Sequence, residues 1–147
     1  QLWDLIFDLS GQGITFFVTT HYMDEAERCS HVAYIYYAQL IADGSPDQLK
    51  SMPDINPEGA YRVEISAPEI TRALRRAREL PYVRSATVFG QQIHALIDRS
   101  VPREELQHAL QSSGIAVRDT RPLETSLEDV FVELTYKRQA ELGAAHD

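Results

Sequence analysis

A histidine that follows a short apolar run is the residue of this sequence best placed for chemistry. Residues 14–18 form a strongly apolar run that does not alternate, and the polar segment after them contains His21. A continuous apolar run predicts a strand that is covered on both faces. Open α/β sheets present ligand-binding side chains at the carboxyl ends of such strands. The pattern therefore predicts that the His21 imidazole meets a ligand there; the alternative is a loop residue or a helix cap.

A metal site is a second interpretation of the same segment. His21, Asp24, Glu25 and His31 carry nitrogen and oxygen ligands of the kinds that zinc accepts. However, no second histidine stands at helical spacing from His21, and Asp24 and Glu27 have the spacing of a capping box. We therefore expect no metal here.

The residues around His21 predict the end of an α/β unit. The expected elements are a helix to residue 10, a strand over 14–20, a helix to 29, strands over 31–37 and 39–42, and a helix after Ser45. Ser45 and Pro46 suit the cap and first turn of that last helix.

The remaining residues follow a different pattern, which begins after a proline-rich and glycine-containing stretch. A half-exposed strand, a helix, a hairpin around Gly90, a second helix ended by Gly114 and a strand over 115–121 give the order βαββαβ. This order predicts a ferredoxin-like sheet. A final helix starts at Ser126 with Asp129 at its capping-box position. The predicted organisation is 1–52 as the α/β part, 53–60 as a linker, 61–138 as a ferredoxin-like domain with the last helix, and 139–147 as a flexible tail.

Composition narrows the classes of function. The net charge of −8 over 147 residues argues against a nucleic-acid binder. The apolar runs are far too short to cross a bilayer. One cysteine, Cys29, cannot form an internal disulfide, which suits a reducing compartment.

Residues 19–27, Thr-Thr-His-Tyr-Met-Asp-Glu-Ala-Glu, resemble the histidine loop of the ATP-binding subunits of ABC transporters. Residues 1–52 as a whole resemble the last part of that nucleotide-binding domain. Residues 125–135 are similar to the carboxyl end of bacterial exporter-type subunits, those that drive ABC-2-like permeases. The resemblance implies that His21 is the γ-phosphate switch of the intact subunit, polarising the terminal phosphate and positioning water.

Other parts of the nucleotide site have no counterpart in this sequence. Residues 9–13, Leu-Ser-Gly-Gln-Gly, look like the ABC signature, but they close a helix only eight residues before His21 and predict a turn. No Gly-Lys pair exists for a phosphate loop. No apolar strand ends in Asp-Glu to supply a catalytic glutamate. We therefore expect a carboxyl-terminal fragment that binds neither ATP nor Mg²⁺ by itself and is inactive alone.

The expected function follows from the resemblance. The chain would be the C-terminal part of an ATP-binding subunit whose intact form uses ATP and Mg²⁺ to drive membrane export. Its expected partners are a second ATP-binding subunit and a membrane-embedded permease, and its expected location is cytoplasmic, on the inner face of the cell membrane. Because the 14–18 strand lacks sheet neighbours, we expect self-association. The alternative is a stand-alone ligand-sensing or dimerisation module with a vestigial histidine loop.

Overall fold

The computed structural model describes residues 2–144, with side chains to residue 141, as a mixed α/β chain with two antiparallel sheets. Its elements are α1 (Leu2–Gly11), α2 (Met23–Ala26), β1 (Val32–Tyr36), β2 (Gln39–Gly44), α3 (Pro46–Lys50), β3 (Ala60–Ser66), α4 (Ile70–Arg78), β4 (Val83–Phe89), β5 (Gln92–Asp98), α5 (Arg103–Ser112), β6 (Asp119–Leu123) and α6 (Leu127–Ala144).

The first sheet is the hairpin of β1 and β2, and helix α3 follows it directly. Tyr37 and Ala38 form its two-residue turn with φ values of 46° and 57°, the backbone that suits a tight hairpin. The predicted start of α3 is confirmed, since Ser45 and Gln48 form a reciprocal capping box and Pro46 occupies the first turn.

The second sheet has four strands in the order β4-β5-β3-β6, all antiparallel to their neighbours. The hairpin predicted around Gly90 is present, and Gly90 has the positive φ of 54° that its turn requires. The last strand is β6 at Asp119–Leu123, shifted from the predicted 115–121. Ile115 is buried in the core instead of pairing in the sheet.

Two separate groups of buried side chains form the interior. The sheet core fills one face of the four-stranded sheet under α4 and α5; its members include Val63, Ile65, Ile93, Ile97, Leu106 and Leu110. The N-terminal core joins the β1–β2 hairpin to α2, α3 and α6; its members are Ala26, Val32, Tyr34, Ala42, Leu49, Ile55, Leu127, Val130 and Leu134.

Helix α6 therefore packs its apolar residues against the first third of the chain rather than into the sheet core. Its predicted buried positions are correct, since Leu127 and Val130 are fully buried, Leu134 is 8% exposed and Phe131 is partly buried. The predicted linker is also ordered, because Ile55 is 1% exposed in the same core. The boundaries of the domains stay a prediction, but this packing links α6 with residues 23–55.

The strand predicted over 14–20 is wrong for the described chain. These residues have no regular secondary structure and are largely exposed, with Phe17 97% exposed. A buried strand needs neighbours to pair its backbone groups, and within residues 2–144 β1 pairs only with β2. The apolar run has no sheet to join, so it stays irregular.

Two smaller expectations also differ from the structure. Asp24 and Glu27 do not form a capping box, since Tyr22 is the N-cap of α2 and makes no side-chain bond there. The tail predicted from residue 139 continues helix α6 as far as Ala144, and residues 145–147 lie outside the described residues.

Candidate functional site

His21 lies on the surface, in the loop that leads into α2. It follows the irregular segment described above instead of a strand, and its ring lies against Tyr22 at a tilt of 37°, with the ring centroids 4.1 Å apart. The imidazole is exposed. A ligand or another protein surface can therefore reach it.

The threonine before His21 orders this loop. Thr20 Oγ1 donates to Glu25 Oε2 at 2.5 Å and accepts from the Tyr22 amide at 3.0 Å. These bonds join the two sides of His21 to the first turn of α2. The loop therefore has a defined backbone even though the imidazole itself is exposed.

The residues of the metal alternative do not come together. Glu25 is bonded to Thr20, and His31 Nε2 lies 2.6 Å from Asp43 Oδ1 on the β1–β2 hairpin. Across the part of the chain that the structure describes, no group of three His, Cys, Asp or Glu side chains is arranged to hold a metal ion.

Glu27 connects this loop to the start of α6. Its Oε1 accepts from the Leu127 amide at 3.1 Å, and its Oε2 accepts from Lys50 Nζ at 2.9 Å. The amides in the first turn of a helix have no partner within the helix, so a carboxylate there is favourable. Glu27 thus ties α2, α3 and α6 together.

Tyr34 strengthens the same junction from the β1 strand. Its hydroxyl donates to the Leu127 carbonyl at 2.8 Å. Burial, and then the charges of Glu27 and Glu128, raise the pKa of the Tyr34 phenol. The hydroxyl therefore keeps its proton and remains a donor over the ordinary pH range.

A second group of buried and half-buried ionisable side chains lies between α6 and the four-stranded sheet. We call them the charge cluster: Arg62, Glu64, His94, Asp129 and Glu133. Arg62, Glu64 and His94 lie on the sheet face opposite α4 and α5. Asp129 and Glu133 face them from α6. The sequence pattern assigned this face of β3 to solvent, and these residues were missed.

Asp129 and Arg62 form the centre of the charge cluster, with side chains 0% and 3% exposed. Asp129 Oδ1 lies 2.8 Å from His94 Nδ1 and 3.9 Å from Arg62 Nη1. Arg62 also reaches Glu133 Oε1 at 3.7 Å and donates to the Ile55 carbonyl at 3.0 Å. Buried charges persist only when they are paired in this way.

The edges of the cluster are completed by sheet residues. Glu133 Oε1 accepts from Ser85 Oγ at 2.8 Å, and Arg121 Nε donates to Glu64 Oε1 at 2.8 Å. His94 Nε2 lies 3.7 Å from Glu64 Oε2, and the His94 ring stacks on Phe89. Each of the four strands thus contributes a residue that bonds either to α6 or to a neighbouring member of the charge cluster.

Asp129 serves the helix and the sheet at once. Its Oδ2 accepts from the Ser126 amide and hydroxyl at 2.9 and 2.8 Å, which confirms the capping box predicted at Ser126. Burial acts to raise the pKa of Asp129, but the bonds from His94 and Ser126 and the charge of Arg62 outweigh it and lower the pKa. The carboxylate is therefore ionised and accepts from His94.

Two shallow cavities flank α6 and share Glu133 and Tyr136. One, of about 450 Å³, lies against Asp54 and Lys137, and the other, of about 280 Å³, lies against β4. Lys137 Nζ pairs with Asp54 at 2.6 Å beside the first cavity, and Arg78 beside the second donates to the Ala86 carbonyl. Within residues 2–144 no helix is both long and apolar enough to cross a membrane.

Sequence comparison identifies several proteins that are similar to this chain. No protein-family model matches it. The probable multidrug ABC transporter ATP-binding protein YbhF of Escherichia coli K12 is 25% identical over 134 residues, 91% of this chain and 22% of that protein. The daunorubicin resistance ATP-binding protein DrrA2 of Streptomyces coeruleorubidus is 30% identical over 94% of this chain and 43% of its own length.

A third relative is named for Nod factor export. The Nod factor export ATP-binding protein I of Cupriavidus metallidurans is 32% identical over 136 residues, 91% of this chain and 41% of that protein. The chain thus spans less than half the length of the curated relatives it matches. Over more than nine tenths of its own length, the chain is related by sequence to ABC transporter ATP-binding proteins.

Proposed function

We propose that this chain is the C-terminal part of the ATP-binding subunit of an ABC transporter, whose intact form couples ATP binding and hydrolysis to membrane export. The observation that carries the proposal is the match over more than 90% of the chain to ATP-binding proteins named for multidrug transport, daunorubicin resistance and Nod factor export. The proposed cofactors of the intact subunit are ATP and Mg²⁺. The proposed partners are a second ATP-binding subunit and a membrane permease, on the cytoplasmic face of the membrane.

Within this proposal His21 is the γ-phosphate switch. Two observations support the role: the resemblance of residues 19–27 to a histidine loop, and the exposed imidazole whose flanking backbone is ordered by Thr20 and Glu25. A neutral imidazole can bond a phosphate oxygen and a water together, and phosphoryl transfer depends mainly on such positioning. The chain alone should not hydrolyse MgATP, because it carries no Gly-Lys phosphate loop.

The four-stranded part is proposed to be a ferredoxin-like accessory domain that acts in dimerisation or regulation. The βαββαβ order of β3 to β6 and the sheet order β4-β5-β3-β6 support this assignment. Helices α4 and α5 cover one face, as a split βαβ arrangement requires. The other face carries the charge cluster and is covered by α6.

A chimeric subunit tests the role of His21. This chain would replace the matching segment of the Nod factor export relative from Cupriavidus metallidurans, and MgATP hydrolysis would be measured. We expect His21→Ala to lower kcat by about 10²-fold or more, the usual effect of removing one group that stabilises a transition state. His31→Gln is the matched control, since His31 is also exposed but bonded to Asp43. An unchanged kcat in the His21→Ala chimera would contradict the assignment.

The proposal also predicts that this chain associates with itself. Helix α1 buries no residue, and the exposed apolar side chains of residues 2–18 are Leu2, Leu5, Phe7, Ile14, Phe16, Phe17 and Val18. An apolar surface of this kind favours association. Light scattering should give a mass that rises with concentration, and Phe17→Ser should reduce the rise. Tyr136→Ser, at a 53% exposed position on α6, is the control. A monomer at every concentration would refute the prediction.

A further inference from the structure

The first turn of α6 holds two different parts of the molecule at once. At Leu127 the helix is bonded to Glu27 through the amide and to Tyr34 through the carbonyl. At Asp129, two residues later, it is bonded to His94 of β5. The axial rise between these positions is only about 3 Å. The loop that carries His21 and the four-stranded sheet are therefore attached to one rigid helical turn.

The attachment on the histidine-loop side leaves little freedom. Glu27 follows α2 directly, and its amide donates to the Met23 carbonyl at 2.9 Å. Met23 in turn lies against Tyr34, whose hydroxyl is 3.1 Å from Met23 Sδ. Because Glu27 is bonded to Leu127 itself and Met23 contacts Tyr34, the other partner of Leu127, a shift of α2 moves the start of α6.

The attachment on the sheet side is made of buried charges. Asp129 is fully buried, and its two oxygens are divided between the cap of α6 and the His94 ring. Arg62, on the neighbouring strand, is 4% exposed as a residue and pairs with Asp129 and Glu133. A small displacement of α6 would leave these charges buried but unpaired, so the sheet and α6 have one favoured relative position.

We infer that the first turn of α6 is a coupling element, which makes the conformation of α2 beside His21 depend on the contact between Asp129 and His94, and the reverse. Only the biological role of this coupling rests on the proposed function. In the intact subunit, a change in the histidine loop would change the position of the accessory sheet. The physical coupling itself belongs to this chain.

Amide hydrogen exchange on the whole 147-residue chain, without nucleotide, measures this coupling. The His94→Gln variant removes the imidazole from Asp129 and alters no side chain of Glu27, Tyr34 or α2. We expect the amides of residues 25–27 to exchange about five-fold faster or more, the lower range of coupling between two sites. His31→Gln is the matched control, because His31 pairs with a carboxylate on the hairpin at 2.6 Å but lies outside the α6 contacts.

The reciprocal variant makes the test independent of how well His94→Gln folds. Glu27 is one-third exposed at its side chain, so Glu27→Gln is a mild change. Coupling free energies are reciprocal, so Glu27→Gln should also speed exchange in β5 around His94. The double variant should be non-additive, whereas independent sites at a distance are additive.

Two results would overturn the inference. One is an α2 exchange rate in His94→Gln equal to that of the parent chain. The other is an equal acceleration in α2 and in α5, which lies on the opposite sheet face, because that would show only a general loss of stability. Because no nucleotide is used, the exchange result and the MgATP hydrolysis result are independent. A chain without coupling would not contradict a role for His21, and a His21→Ala chimera with unchanged kcat would not contradict the coupling.

Discussion

Replacing Asp129 with alanine is expected to lower the free energy of unfolding by about 3–5 kcal/mol, the usual effect of removing one partner from a buried ion pair. The change removes the fully buried carboxylate that pairs with Arg62, whose side chain is 3% exposed. It also leaves His94 Nδ1 without its acceptor. It also removes the carboxylate that bonds the Ser126 amide at the start of α6. All of these losses act in the same direction.

Urea denaturation followed by circular dichroism measures this effect. Asp43→Ala is the matched control, because Asp43 also pairs with a histidine but is 52% exposed at its side chain. Exposed pairs contribute about 0–1 kcal/mol, so the control should change little. An Asp129→Ala chain as stable as the Asp43→Ala chain would show that the charge cluster does not hold α6 on the sheet.

The pH dependence gives the same prediction a second readout. The folded chain lowers the pKa of Asp129 below its usual value. A carboxyl group with a lowered pKa stabilises the folded state above its unfolded pKa of about 3.9, and this contribution is lost as the pH falls through the folded value. The parent chain should therefore lose stability on acidification below about pH 4, and Asp129→Ala should lack that part of the loss.

Local signals in the sequence predicted local structure well. Ser45 with Gln48, Gly90 in its hairpin, and Ser126 with Asp129 all occupy the caps and turns expected of them. These features depend mainly on residues three or four positions apart, although the same spacing at Asp24 and Glu27 gave no capping box. The βαββαβ order of the second part followed from the same kind of signal.

Features that depend on distant partners could not be predicted in this way. The alternation of β3 correctly separated Val63 and Ile65 from Arg62 and Glu64, but it could not show that α6, more than 60 residues later, covers the polar face. One signal was present: Asp129 and Glu133 stand one turn apart on α6, among residues otherwise suited to burial. Such a pair is compatible with a charged partner across an interface, because a buried carboxylate needs one.

The segment before His21 shows the opposite error. The apolar run at 14–18 has the composition of a buried strand, but a strand also needs neighbours for its backbone groups. Within the described residues that pairing is missing, and Phe17 is almost fully exposed. The composition of the run therefore predicted a buried strand, but a strand forms only where neighbouring strands are available to pair with it. The role of His21 as a phosphate switch stays a prediction.

Leu127→Ala is expected to lower the free energy of unfolding by about 2–5 kcal/mol, the range for deleting a buried leucine side chain. Leu127 is fully buried in the N-terminal core beside Leu49 and Ile55. Its bonds to Glu27 and Tyr34 use backbone atoms, so the variant keeps them and removes packing alone. Leu40→Ala, at a 61% exposed position, is the control and should stay within about 0.5 kcal/mol.

The same variant tests where α6 belongs. The sequence grouped this helix with residues 61–138, but its apolar side chains pack on residues 23–55. Hydrogen exchange in Leu127→Ala should therefore accelerate more in α2 and β1 than in α4 and α5, because the cavity opens in the N-terminal core and leaves the sheet core filled. Equal acceleration in both regions would instead mean that the two cores open only together, and an effect confined to α4 and α5 would contradict the packing of α6.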